Sequence, residues 1–140
     1  MPVLQIVYRS LAREGFDEPE MLDILRVSQA RNQRDRISGL LVHRAPVFVQ
    51  LLEGPPDAVL ALYERIARDP RHHGVEVVLR QEAAQAAMPT WAMGYLSETA
   101  GDCTGPEDAF VFDYAQARSL CEALPPAIGA PFLEVLGVSA

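Results

Sequence analysis

No lysine occurs in this chain of 140 residues; all twelve basic side chains are arginine. That absence excludes every cofactor held as a lysine Schiff base, pyridoxal phosphate and retinal among them. It leaves guanidinium groups for phosphate or carboxylate ligands. Cysteine is scarce too. Cys103 and Cys121 lie in the last third without the close spacing of a metal or redox pair, so they read as free thiols, and no metal site is expected. Nineteen acidic residues against twelve arginines give a net charge of -7, and no basic run offsets it locally, which disfavours direct contact with a nucleic-acid backbone. No apolar run approaches the about 20 residues that span a bilayer. The N-terminal MPVLQIVYRS has no basic region leading into a secretory segment, so the expected location is the cytoplasm, with no membrane partner. Catalytic triads, Walker loops, GxGxxG turns, zinc-ligand spacings and an acid–base dyad are all missing from the sequence, and no enzymatic activity of its own is expected.

What remains is an ordinary globular composition, 49% hydrophobic and 22% charged, of a length that suits one domain. Residues 3–9 alternate as a strand, with Leu4, Ile6 and Tyr8 on one face and Gln5 and Val7 on the other. From residue 18 to about 31 the apolar spacing becomes helical, with Pro19 tolerated in the first turn. Residues 37–43 and 46–53 form a predicted hairpin turning near Arg44 and Ala45. Gly54, Pro55 and Pro56 stop it and start a second helix carrying Val59, Leu62, Tyr63 and Ile66, which ends at Asp69 and Pro70. Residues 75–80 read as a fourth strand and 91–96 as a weaker fifth. The order βαββαββ, with right-handed crossovers, predicts an α+β, ferredoxin-like sheet with both helices on one face and strands one and three as central neighbours. Residues 1–100 then form the sheet domain. Residues 101–140 read as a C-terminal helical extension capping the open sheet face of the same unit, with one helix from 106 to about 124 and a shorter one over 125–136 interrupted by Gly129 and Pro131.

Three polar residues stand where apolar ones are expected. Gln50, in PVFVQLLEG, shares a face with Phe48 and Leu52, and Tyr8 on the neighbouring strand is a natural partner for its amide, because an unsatisfied buried polar group costs about 1–3 kcal/mol. Asn32 ends the first helix on the side continued from Leu25 and Ser28. Taken singly, these residues read more simply as a hydrogen-bonded core pair and a helix C-terminal asparagine; together they suggest a site. The run RIARDPRHHG gathers Arg65, Arg68, Asp69, Arg71, His72 and His73. By itself it is a solvated helix end with cations near the C-terminal dipole, but with Arg31 and Asn32 it would also frame a slot between the helices for a planar, polar-edged ligand. Trp91 and Met93 alternate on the last strand, where packing is the simpler explanation.

In combination these segments resemble the BLUF family of FAD-binding blue-light sensors, from about residue 4 to residue 94. The blocks that carry the resemblance are YRS from Tyr8, SQARN from Ser28, ISGLLV from Ile37, PVFVQLLEGP from Pro46, LYERIARDPRHHGV from Leu62 and WAMGY from Trp91. The resemblance implies non-covalent FAD, with FMN as the alternative flavin. It implies that Tyr8 is the electron and proton donor, that Gln50 lies between Tyr8 and the ring, and that Asn32 holds the ring's carbonyl and imide edge. Ser28, Arg31, Arg65, Asp69, Arg71 and His72 would complete the cofactor's surroundings. An amide has two hydrogen-bonding patterns, so Gln50 is the implied switch and Trp91 and Met93 the implied relay to the outside. Three positions depart from the family's pattern: Arg36 where glycine is common, Met88 where an aromatic is frequent, and Ala92 in place of serine.

With no effector domain evident, the output is expected to pass to another, unidentified protein, and self-association as a homodimer is expected as well. Two other readings stay open. A cofactor-free ferredoxin-like interaction module would be colourless, and a small flavin-dependent oxidoreductase would steadily consume a nicotinamide cofactor. A sulfur-adduct photosensor would need Cys103 or Cys121 in the flavin pocket, where neither is placed.

Overall fold

A computed structural model describes residues 2–16, 18–44, 46–88, 94–96, 110–112 and 114–137. Alternation at the N-terminus produces β1 (Val3–Ala12), which is followed by α1 (Glu18–Asp35), the hairpin β2 (Ser38–Arg44) and β3 (Val47–Gly54), and α2 (Pro56–Ala67). Then come β4 (His72–Ala83), β5 (Gly94–Leu96), β6 (Phe110–Phe112), α3 (Tyr114–Ala123) and α4 (Pro126–Val135). The strands form one sheet in the order β4-β1-β3-β2-β5-β6. The first four pair antiparallel in the ferredoxin-like arrangement, with β1 and β3 adjacent at the centre; β5 and β6 extend the β2 edge in parallel.

Period-two alternation divides the core in two. Leu4, Ile6, Tyr8, Phe48 and Leu52 pack with Val59 and Leu62 of α2 on one face. On the other, Val7, Leu40, Val42, Val49 and Leu51 pack under Cys121, Leu124, Ile128, Phe132 and Leu136 of the C-terminal helical extension. Gly39, near the open end of the hairpin, permits a close approach of β2 to β3, since a Cβ there would lie 1.9 Å from the Leu51 carbonyl oxygen.

Several expectations are corrected. α1 runs to Asp35, a turn beyond the sequence estimate, so Asn32 sits within the last turn and does not end the helix. β4 begins at His72 and continues to Ala83 because it pairs along nearly all of β1, so the RHH run is a strand start and not a frayed helix end. Residues 110–112 form a strand inside the segment expected to be wholly helical, held by pairing with β5. α4 continues through Gly129 and Pro131 as one helix. A Cβ on Gly129 would lie 2.4 Å from the Cys121 carbonyl oxygen, so the glycine is where α4 crosses close to α3. The expected strand residues Trp91 and Met93 lie outside the described residues.

Candidate functional site

The register of the central strands builds the site. Tyr8 stands directly opposite Gln50, and Gln50 opposite Leu41 on the next strand. Opposed residues of an antiparallel pair project from the same face, and here that face lies beneath α1 and α2. The Tyr8 hydroxyl donates a hydrogen bond to Gln50 Oε1, and both side chains are buried. Burial pushes the Tyr8 phenol well above its ordinary pKa, with smaller contributions in the same direction from Tyr63 and the Asp69 carboxylate. Losing a proton alone is therefore strongly disfavoured, and the phenol stays a neutral donor. Tyr63 and His72 meet its ring edge-on, at centroid distances of 6.0 and 6.3 Å.

Above this pair lies a cavity of about 610 Å³ between α1 and α2, within the range of about 300–1,000 Å³ common to small-molecule sites. Tyr8, Ser28, Arg31, Asn32, Gln50, Arg65, Asp69, Arg71 and His72 all line it, so the structure brings together the full set of residues expected around a cofactor. Sequence reasoning missed its apolar walls: Phe16, Leu41 and Phe48 from the sheet side, Leu62 and Ile66 from α2, and Ile24 and Val27 from α1. A signal existed for these. Phe48 shares Gln50's parity, and Ile24, Val27, Ser28 and Arg31 recur at the spacing of one helix face.

The polar rim is organised by short-range bonds. Arg71 donates from Nε to both Asp69 carboxylate oxygens, at 2.9 and 3.0 Å, and from Nη2 to Oδ2 at 2.5 Å. Its backbone N–H donates to Asp69 Oδ1 at 2.9 Å. The guanidinium beside it holds the Asp69 carboxyl below the usual carboxylate range. His72 bridges two elements: Nε2 is 2.6 Å from the Ile66 carbonyl oxygen and Nδ1 is 2.7 Å from Ser10 Oγ. A carbonyl can only accept, so Nε2 carries the hydrogen that it donates to Ile66, while Nδ1 and the Ser10 hydroxyl share the second bond. Asn32 is fixed by the end of α1, where Ile37 N–H donates to the Asn32 carbonyl at 2.8 Å and Arg36 N–H to the Gln33 carbonyl at 3.4 Å. This 6→1 and 5→2 pairing is the Schellman motif, with Arg36 at its left-handed position, φ 62°. A position that favours glycine on backbone grounds thus carries an arginine.

The donor set suits a planar heterocycle with a phosphate-bearing tail. Amides at Gln50 and Asn32 offer donors and acceptors to a carbonyl and imide edge, the aliphatic and aromatic walls suit a ring, and the arginines at the rim suit an anion. Cys121, on α3, is packed in the core on the opposite face of the sheet and does not line this cavity.

Comparison with known proteins agrees with that chemistry. Residues 3–94 match the family model BLUF, sensors of blue-light using FAD. The beta subunit of a photoactivated adenylate cyclase from Euglena gracilis is 36% identical over 94 residues, covering 66% of this chain and 11% of that protein. The blue light- and temperature-regulated antirepressor BluF of Escherichia coli K12 is 34% identical over 74 residues, 53% of this chain and 18% of its own length. The chain therefore spans less than a fifth of either relative. The dark-state structure of BlrB, a BLUF protein, superposes with a TM-score of 0.66 at 26% identity, covering 94% of this chain and 84% of that one.

Proposed function

The chain belongs to the BLUF family of blue-light flavin sensors, and from that membership we propose that it holds FAD, without covalent attachment, in the cavity between α1 and α2, with Tyr8 and Gln50 as its photochemical switch. The observation that carries this reading is the buried hydrogen bond from Tyr8 to Gln50 Oε1 at the floor of that cavity. Gln50 and Asn32 hold the ring edge, Ser28 and His72 line its flank, and Arg31, Arg65 and Arg71, the last oriented by Asp69, take the ribityl and phosphate side. The bound flavin supplies blue absorption and an oxidising excited state.

Tyr8 serves as electron donor. Burial holds its phenol neutral beforehand, so the proton leaves with the electron or after it, and not before it, along the bond to Gln50. Once the electron and proton return to Tyr8, Gln50 is left re-paired, either by side-chain rotation, which breaks no covalent bond, or by tautomerisation, in which one proton moves from the amide nitrogen to its oxygen. Either route exchanges donor for acceptor. Trp91 and Met93, just before β5, carry the change outward. BLUF domains are sensors that act on partner domains or proteins, and the output here passes to a second protein and not to a reaction of the chain's own. FMN would occupy the same ring site and leave the outer arginines unused. The protein works as a homodimer in the cytoplasm; no helix among the described residues is long and apolar enough to cross a membrane.

Absorption of the purified protein before and after blue light tests the proposal. The expected result is a yellow protein with a reversible red shift, FAD in the extracted cofactor, and loss of the shift in Tyr8→Phe with flavin still bound. A colourless preparation that takes up no added flavin would overturn it.

A further inference from the structure

Beneath the cavity, on the opposite face of the same strands, lies a second polar set, of which Gln5, Ser38 and Glu53 are buried and Gln81 partly so. Gln81, Gln5, Glu53 and Ser38 form a single rung across β4, β1, β3 and β2. Gln81 Nε2 donates to Gln5 Oε1 at 2.9 Å, Gln5 Nε2 to Glu53 Oε1 at 3.0 Å, and Ser38 Oγ to Glu53 Oε2 at 3.3 Å. Glu53 is fully buried, and it also accepts the backbone N–H groups of Ala87 at 2.8 Å and Met88 at 2.6 Å. All four neighbours are donors, so the carboxylate serves purely as an acceptor, a role no uncharged side chain of its size fills equally well.

The placement of this rung matters. Gln5 and Glu53 face each other on the strands that carry Tyr8 and Gln50, three residues along. The two amides that Glu53 holds belong to the segment leading from β4 towards β5, and Met88 is buried in the core beneath α3 and α4. We propose that Glu53 is a positioning residue of the signalling path: the latch by which β3, bearing Gln50, holds the 84–88 segment and seats Met88 under the C-terminal helices. This inference rests on the photosensor reading. When Gln50 re-pairs, β3 shifts against its neighbours, and the change reaches α4 through Glu53 and the two amides it holds.

The test is hydrogen exchange on the full chain, dark and illuminated, for the native protein and Glu53→Gln, with the light-induced absorption shift recorded alongside. In the native protein the amides of Ala87 and Met88 are expected to be protected in the dark and to lose protection in the light, together with a change in residues 126–135. Glu53→Gln is expected to keep the flavin and the red shift, to lose roughly tenfold of the dark protection at residues 87 and 88, and to show no light-dependent change in residues 126–135. A purely structural role would leave that light-dependent difference intact, so its survival in Glu53→Gln overturns the proposal. If Glu53→Gln does not fold, the native protein decides: a red shift and a response in α4 with unaltered protection at residues 87 and 88 overturn it. Absence of the red shift in the native protein ends the photosensor reading itself, and this proposal with it.

Discussion

One sheet presents two faces of opposite character. On the first, Tyr8, Gln50, Phe48 and Leu41 look into about 610 Å³ of open cavity under α1 and α2. On the second, Val7, Leu40, Val49 and Leu51 are sealed against Ile128, Phe132 and Leu136, all nearly inaccessible to solvent. Strand alternation places these sets one residue apart, so a face built for a ligand and a face built for stability share the same backbone. The packed face adds close side-chain contacts to the same strands that carry the cavity face, and so helps to hold their register.

That contrast breaks first at Phe132. Truncation to alanine empties the centre of the packed face and is expected to cost about 3–5 kcal/mol, whereas Ile66→Ala on the cavity wall, where the side chain is only partly buried, costs about 1 kcal/mol. Urea unfolding of the two variants would show it; equal losses would mean that the faces do not differ as described.

Alkaline pH acts on both faces in the same sense. Burial pushes the Cys121 thiol from 9.0 up to about 12, and burial likewise raises Tyr8. Above pH 9 the unfolded chain releases the Cys121 proton while the folded chain keeps it, so fewer protons are bound unfolded and stability falls as pH rises towards 12. Tyr8 adds a further fall above pH 10. Below pH 9 neither group contributes a slope. Cys121→Ala should flatten the part that begins near pH 9, which unfolding midpoints between pH 7 and 11 would detect; parallel curves for the two proteins would refute the assignment.

A smaller effect concerns the packed face alone. Gly129→Ala places a Cβ 2.4 Å from the Cys121 carbonyl oxygen, backbone that cannot move aside without separating α3 from α4. The expected cost is about 1–3 kcal/mol, with the flavin spectrum unchanged because the cavity lies across the sheet. A shifted spectrum in this variant would show that the faces are coupled even in the dark.

The two faces were not equally legible in the sequence. Parity alone put Tyr8 and Gln50 on one side, and helical spacing put Ser28 and Arg31 beside Asn32, because those patterns are local. Glu53 was opaque: it looks like a polar residue at the end of a strand, and its partners Gln5 and Met88 lie 48 and 35 residues away. The RHH run misled for a related reason. Arg71, His72 and His73 resemble a solvated helix end until β1 supplies the pairing that makes His72 the first residue of β4. Residues 110–112 read as helix because nothing nearby announces β5, their partner strand. Local periodicity reports a face; it does not report what covers it.

The mildest change sharpens the comparison from the cavity side. Arg36 adopts φ 62° at the left-handed position of the motif that ends α1, a conformation that costs a residue with a Cβ about 1 kcal/mol and glycine almost nothing. Its side chain is exposed, so little packing is lost on removal. Arg36→Gly should therefore stabilise the fold by no more than about 0.5 kcal/mol after allowance for the extra freedom of the unfolded chain. It should also leave the light-induced shift intact, because the carbonyl that holds Ile37 N–H belongs to Asn32 and stays in place. A loss of stability in urea would mean that the guanidinium contributes more at this turn than the backbone strain removes.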